Sequence, residues 1–98
     1  MAILDSLNGL DFVKFVKKHR CSILGCNNTL IDPDHLKAIG MGRNRKNPNL
    51  IEHFTCVPLC RIHHTERHSK GTKDFELKYG VNLWQENHRL LIMWLSED

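Results

Sequence analysis

The sequence predicts a small α+β domain: a central β-β-α unit stapled by a metal, with one helix before it and further helices after it. Three observations point there. Ninety-eight residues make a single domain that buries only part of its surface, so a metal staple would add stability. Four cysteines and seven histidines in so short a chain supply the ligands for one. The hydrophobic patterns then run in the order helix, cysteine turn, strand, basic loop, strand, histidine-rich helix, two more helices.

The first helix is expected from Leu7 to His19. Leu10, Val13 and Val16 form one stripe with Phe12 and Phe15 beside it. Asp5 or Ser6 is the expected cap, and Lys17, Lys18, His19 and Arg20 suit the negative end of the helix dipole. Gly9 weakens the first turn. Cys21 to Cys26 reads as a turn with a cysteine at each end, and Thr29 to Ile31 as a short strand. Gly40 to Asn49 is a loop by composition and carries Arg43, Arg45 and Lys46 with no acidic residue. Phe54 to Val57 is the second strand, ended by Pro58. A polar helix follows from Leu59 to Ser69, then one from Thr72 to Tyr79 between Gly71 and Gly80. The last helix spans Leu83 to Leu95 with Trp84, Leu91, Trp94 and Leu95 turned inward. One domain thus covers residues 1–98, with its core over about 12–79 and a terminal helix over about 82–96.

Composition excludes several classes. At 41% hydrophobic and 26% charged residues the chain has an ordinary globular balance, not that of disorder. A formal net charge of +3 permits an anionic partner without requiring one. No apolar run is long enough to span a bilayer, and Met1 to Ser6 lacks the regions of a signal peptide. A cytoplasmic, reducing setting is therefore expected, where cysteines serve as metal ligands or core residues rather than disulfides.

The ligand spacing defines two groups. Cys21 and Cys26 are separated by four residues, and Cys60 and His63 form a Cys-x2-His pair at a helix start. Together they make a Cys3His set for a structural zinc that would supply folding energy. Cys56 and Cys60 are an alternative second pair, but Cys56 sits mid-strand and reads as core. His64 and His68 are four apart, on one helix face, and can share a metal. His63 points about 100° away, which lets one helix serve two metals. Asp34 is the best oxygen ligand to join His64 and His68, and His35 beside it is free to act as a base.

These residues resemble the HNH endonucleases, which use the ββα-metal fold. The resemblance rests on Asp34-His35, the loop Gly40-Met41-Gly42-Arg43, and a Leu-Cys-Arg-x-His-His-x-Glu-x-His pattern from Leu59 to His68. Gly71 and Phe75 follow as a trailing helix signature. It covers about Phe12 to Tyr79 and is closest to small phage-type HNH nucleases. The resemblance implies a zinc-stapled ββα-metal domain in a phage-encoded protein acting in the cytoplasm of a bacterial host. It also implies that Asp34, His64 and His68 hold the catalytic ion and that His35 is the general base. Cys21, Cys26, Cys60 and His63 become the structural zinc ligands. One departure stands out: the family's middle Asn has no clean counterpart. By spacing its place is near Thr55, while related phage-type sequences carry a histidine where His53 stands. His53 therefore takes a supporting catalytic role, with Asn49 as a weaker candidate.

The chemistry implied is phosphodiester hydrolysis. A neutral His35 would take a proton from water, and a divalent ion would polarise the phosphate and stabilise the leaving oxygen. Mg²⁺ prefers oxygen ligands, whereas Mn²⁺, Ni²⁺ and Zn²⁺ accept imidazole, so the ligand set does not choose among them. Arg43, Arg45 and Lys46 are expected on the backbone phosphates of duplex DNA, with Lys37, Arg61, Arg67, Lys70 and Lys73 extending that surface. Such contacts predict low sequence specificity and binding that weakens with salt. Phage recombination or packaging proteins are the partners such a resemblance implies, and no membrane is expected. The alternative is a catalytically silent zinc adaptor for nucleic acid or protein. A C2H2 finger fits poorly, because Cys26 and His63 lie much further apart than the roughly 12 residues it demands.

Overall fold

The computed structural model describes residues 7–97. Helix α1, Gly9–Lys17, starts where the Asn8 side chain accepts from the backbone N–H of Leu10 at 2.9 Å and of Asp11 at 3.3 Å. Asn8 thus caps the helix, two residues inside the expected start; Asp5 and Ser6 lie outside the described residues. Phe12 and Val16 form its buried stripe.

Strand β1, Ile31–His35, pairs antiparallel with β2, Cys56–Cys60, placing Asp34 opposite Val57 and Pro33 opposite Pro58. Both strands pass through prolines, Pro33 in β1 and Pro58 in β2, where Pro58 was expected to end the second strand and the first was expected at Thr29 to Ile31. The ladder explains why they can. Leu36 N–H donates to the Thr55 carbonyl and Arg61 N–H to the Leu30 carbonyl, each at 3.1 Å, at opposite ends of the pairing. Alternation between those ends leaves Pro33 and Pro58 as a non-hydrogen-bonded pair, so neither missing N–H interrupts the ladder. The Pro58 carbonyl points outward and accepts from the Ser22 backbone N–H and hydroxyl, both at 2.9 Å, which fastens the cysteine turn to the sheet.

A 3-10 helix, Ile51–Thr55, leads into β2 and replaces the start of the expected second strand. Helices α2 (Arg61–Lys70), α3 (Thr72–Tyr79) and α4 (Leu83–Ser96) complete the described elements. Gly80 ends α3 with a left-handed φ of 64°, a conformation that glycine adopts without steric cost. The result is an α+β fold, a two-stranded antiparallel sheet with four α-helices among the described residues. None of the described helices is long and apolar enough to cross a membrane.

All five residues of β2 are buried, and four of them divide between two cores. Val57, Leu59 and Cys60 pack with Cys21, Ile23, Phe75 and Leu83, while Cys56 packs with Phe12, Val16 and Leu90. Cys56 is thus a core residue, and burial pushes its thiol up to about 12. The inward face of α4 differs from expectation. Leu83, Asn87 and Leu90 are buried, Trp94 is partly buried, and Trp84 and Leu95 are 50% and 57% exposed. Apolar residues occupy two neighbouring stripes of α4, and Asn87 selects between them. Its Nδ2 donates to the carbonyls of Phe54 and Cys56, both at 2.9 Å, anchoring the helix to the start of β2.

Candidate active site and metal centres

Successive side chains of β1 point to opposite faces. Asp32 and Asp34 turn toward α2, and His35 turns toward the 3-10 helix. On α2, His64 and His68 are one turn apart and their Nε2 atoms lie 2.9 Å from each other. Each is 3.6 Å from Asp34 Oδ1. Tetrahedral ligands at ordinary metal–nitrogen and metal–oxygen lengths are separated by about 3.3 Å, so these three donors are spaced as ligands of one ion. His64 Nδ1 lies 3.1 Å from Asp32 Oδ2. A proton on Nδ1 donated to that carboxylate leaves Nε2 with its lone pair toward Asp34 and His68, the arrangement of a metal-ligating histidine backed by a carboxylate. Arg61 hydrogen-bonds both oxygens of Asp32, at 3.0 and 3.1 Å, and together with His64 holds its carboxyl at about 2, despite the opposing effect of burial.

Asp34 is fully buried, and Arg67 grips it with two hydrogen bonds, one from Nε to Oδ2 and one from Nη2 to Oδ1 at 2.6 Å. Arg67 Nη1 also donates to the Thr72 hydroxyl at 2.8 Å. Arg67 is only 7% exposed, which corrects its expected place on a DNA-facing surface. A buried carboxylate needs a partner, and this guanidinium is it. Burial and the Arg67 charge lower the His68 imidazole below its ordinary value, partly offset by Asp34.

His35 and His53 meet across the other face. His53 Nε2 lies 3.1 Å from the Asn47 carbonyl, which can only accept, so Nε2 carries the proton and Nδ1 the lone pair. That Nδ1 is 3.1 Å from His35 Nε2, which must then donate, leaving the lone pair of His35 on Nδ1. Burial lowers the His35 imidazole below its ordinary value, helped by His53 and Arg45 and partly offset by Asp34. Gly9 belongs to this site: a Cβ there would come within 2.7 Å of His53 Cβ and 2.9 Å of the Pro48 carbonyl. The expected weakness in the first turn of α1 is therefore a close approach that only glycine permits.

Around the second group, Cys21 Sγ and Cys60 Sγ lie 3.4 and 3.2 Å from His63 Nδ1, and Cys26 Sγ is 3.8 Å from Cys60 Sγ. These donors lie within 4.8 Å of one another. Tetrahedral sulfurs about a zinc are separated by about 3.8 Å, so the set fits such an ion. Cys60 also caps α2, its Sγ accepting from the His63 N–H at 3.5 Å. Burial raises the Cys60 thiol, but the N–H groups of His63 and Ile62 and the thiols of Cys26 and Cys21 outweigh it and pull the thiol below its ordinary value. Asn28 Nδ2 lies 3.7 Å from the same sulfur.

In the basic loop, Arg43 donates to Glu52 at 2.8 Å, so part of its charge is committed to a buried carboxylate, while Arg45 and Lys46 are exposed. Asn49 is exposed, and the Thr55 hydroxyl donates to the Glu52 carbonyl at 2.7 Å. Neither touches His35 among the hydrogen bonds described; His53 does. Sequence reasoning missed Asp32 and Arg67. The Asp-x-Asp alternation along β1 was a usable signal for the first. For Arg67, its place one turn after His63 and beside His68 was the only hint.

An antiparallel ββ pair followed by a helix, with a carboxylate and two imidazoles converging at their junction, is compatible with an HNH ββα fold and groups three side chains that could hold a metal ion. Residues 2–93 match the family described as "Putative HNHc nuclease". The chain belongs to that family of HNH nucleases. Neither the curated proteins nor the solved structures contain a match to it.

Proposed function

We propose that the chain is a metal-dependent DNA endonuclease of low sequence specificity. Asp34, His64 and His68 would hold the catalytic divalent ion, and Cys21, Cys26, Cys60 and His63 a structural zinc. The reading is carried by one observation: Asp34 Oδ1, His64 Nε2 and His68 Nε2 converge at ligand spacing while the residue next to Asp34 presents a base. When bound, the ion supplies charge neutralisation of the phosphate and of the leaving oxygen. The protein's own residues do the rest. His53, fixed by the Asn47 carbonyl, holds the His35 ring, whose Nδ1 would accept a proton from water. His35 is the catalytic base, and His53 is a positioning residue that fills the role of the family's missing Asn. Asp32 orients His64, and Arg67 orients Asp34. Arg45, Lys46 and the exposed part of Arg43 are placed on backbone phosphates, which position the duplex without reading its sequence.

Plasmid nicking with added Mg²⁺, Mn²⁺, Ni²⁺ or Zn²⁺ tests this. Wild type is expected to nick with at least one ion, and His35→Ala to lose about 100-fold or more in rate with its zinc content unchanged. Equal rates in both proteins would overturn the mechanism. The silent-adaptor reading has one observation in its favour: the Arg67 guanidinium pairs with the Asp34 carboxylate. It predicts no nicking with any metal.

A further inference from the structure

Lys17, Lys18, His19 and Arg20 stand at and just beyond the C-terminal end of α1, where they suit the helix dipole. In the fold they line a groove of about 390 Å³. One wall is Lys17, Lys18, His19 and Arg20, and the other includes Asn27 and Asn28. No acidic residue lines it, and none of its lysines or its arginine has an ion-pair partner among the described residues. Elsewhere five cations are committed to carboxylates: Arg43 to Glu52, Arg61 to Asp32, Arg67 to Asp34, Lys78 to Glu66 and Arg89 to Glu86. The groove therefore concentrates uncompensated positive charge, and the asparagine amides opposite add neutral donors. Its walls are stiff. His19 Nδ1 donates to the Phe15 carbonyl at 2.8 Å, and Asn28 is tied to the Cys60 sulfur.

Its position relative to the catalytic residues follows from two rulers. The groove reaches Ile31, the first residue of β1, and His35 is the last, so the strand puts about 13 Å between them. Helix α1 runs the opposite way, with Gly9 against His53 and Lys17 in the groove; its nine residues also span about 13 Å. Both place the basic groove at one end of the sheet and His35 at the other. A duplex backbone crossing His35 would reach such a groove about four base pairs away.

We propose that the groove of Lys17, Lys18, Arg20, Asn27 and Asn28 is a second phosphate-backbone site, which grips duplex DNA about 13 Å from the scissile phosphate. It rests on the nuclease reading for its partner but not for its existence. The groove contacts are electrostatic, fix the register of the duplex on His35, and depend on the cysteine cluster for the shape of one wall.

The test is salt-dependent binding of a short fluorescein-labelled duplex to the full zinc-loaded chain, with no further divalent ion added. Lys18→Ala/Arg20→Ala removes two groove charges. Lys78→Ala/Arg89→Ala removes two charges that carboxylates already neutralise, as a control for net charge. Two lost phosphate contacts should reduce the slope of log affinity against log salt by about 1.8. Between about 50 and 200 mM salt, wild type should then lose about tenfold more affinity than the groove variant. The control variant should follow wild type. Equal slopes in groove variant and wild type, or an equal drop in both variants, would overturn the proposal. So would a groove variant that weakens only on anionic lipid vesicles. Plasmid nicking by the same proteins separates the two readings. A reduced slope without any nicking leaves the groove and removes the nuclease, and nicking with an unchanged slope does the reverse.

Discussion

Arg67 shows how a residue can matter at the site without being legible as part of it. It stands in a stretch of polar helix, and only its place beside His68 sets it apart in the sequence from its solvated neighbours. Burial decides its role: Asp34 is fully enclosed, and a lone carboxylate there would be costly. Removing one partner of such a pair costs about 3–5 kcal/mol, because the other charge is left buried and unpaired. Arg67→Met is therefore expected to lower the free energy of unfolding in urea by that amount, and Asp34→Asn/Arg67→Met to recover part of it. A single variant as stable as wild type would show that the pair contributes little. By contrast, His64 and His68 were readable from spacing alone, since one helical turn brings their Nε2 atoms together whatever surrounds them. His53 was reached only through resemblance. Its contact with His35 comes from a 3-10 turn that no periodicity announces.

At the level of elements, α3 was read with its observed bounds because glycines punctuate both ends. The second strand is displaced from its expected bounds because Pro58 reads as a stop, whereas the ladder offers it a position that needs no N–H. The inward face of α4 was misjudged because its inward polar residue, Asn87, bonds carbonyls that only the fold brings to it. Helix α1 carries the most testable consequence. Its first turn packs so closely on His53 and Pro48 that Gly9→Ala must push one of them aside. His53 holds the ring of His35, so a shift there is expected to lower the nicking rate about tenfold or more while zinc content stays unchanged. An unchanged nicking rate in Gly9→Ala would mean that the His35–His53 contact does not set the geometry of the base. An alanine helix propensity that simply stabilised α1 would act in the opposite direction, raising the melting temperature with no loss of rate.

For the whole molecule, the cysteine cluster and the two cores form one structure. Cys60 ends β2, caps α2 and sits in the Cys3His set, and β2 contributes to both hydrophobic clusters. A domain of this size has roughly 5–15 kcal/mol of stability, and a structural zinc can contribute about 10–16 kcal/mol of apparent binding energy. The second figure matches or exceeds the first, so the metal-free chain is expected to be largely unfolded. Burial pushes the Cys21 thiol up to about 11, so without a metal this sulfur stays protonated and offers no compensating charge interaction. Stripping the metal with a strong chelator should abolish the cooperative melting transition and most helical circular dichroism, and restoring zinc should bring both back. Cys26→Ser should mimic the stripped state in part, since three ligands remain. A chain that melts identically with and without chelator would show that the two cores hold the fold unaided, and that the cysteine cluster stabilises nothing beyond its own turn.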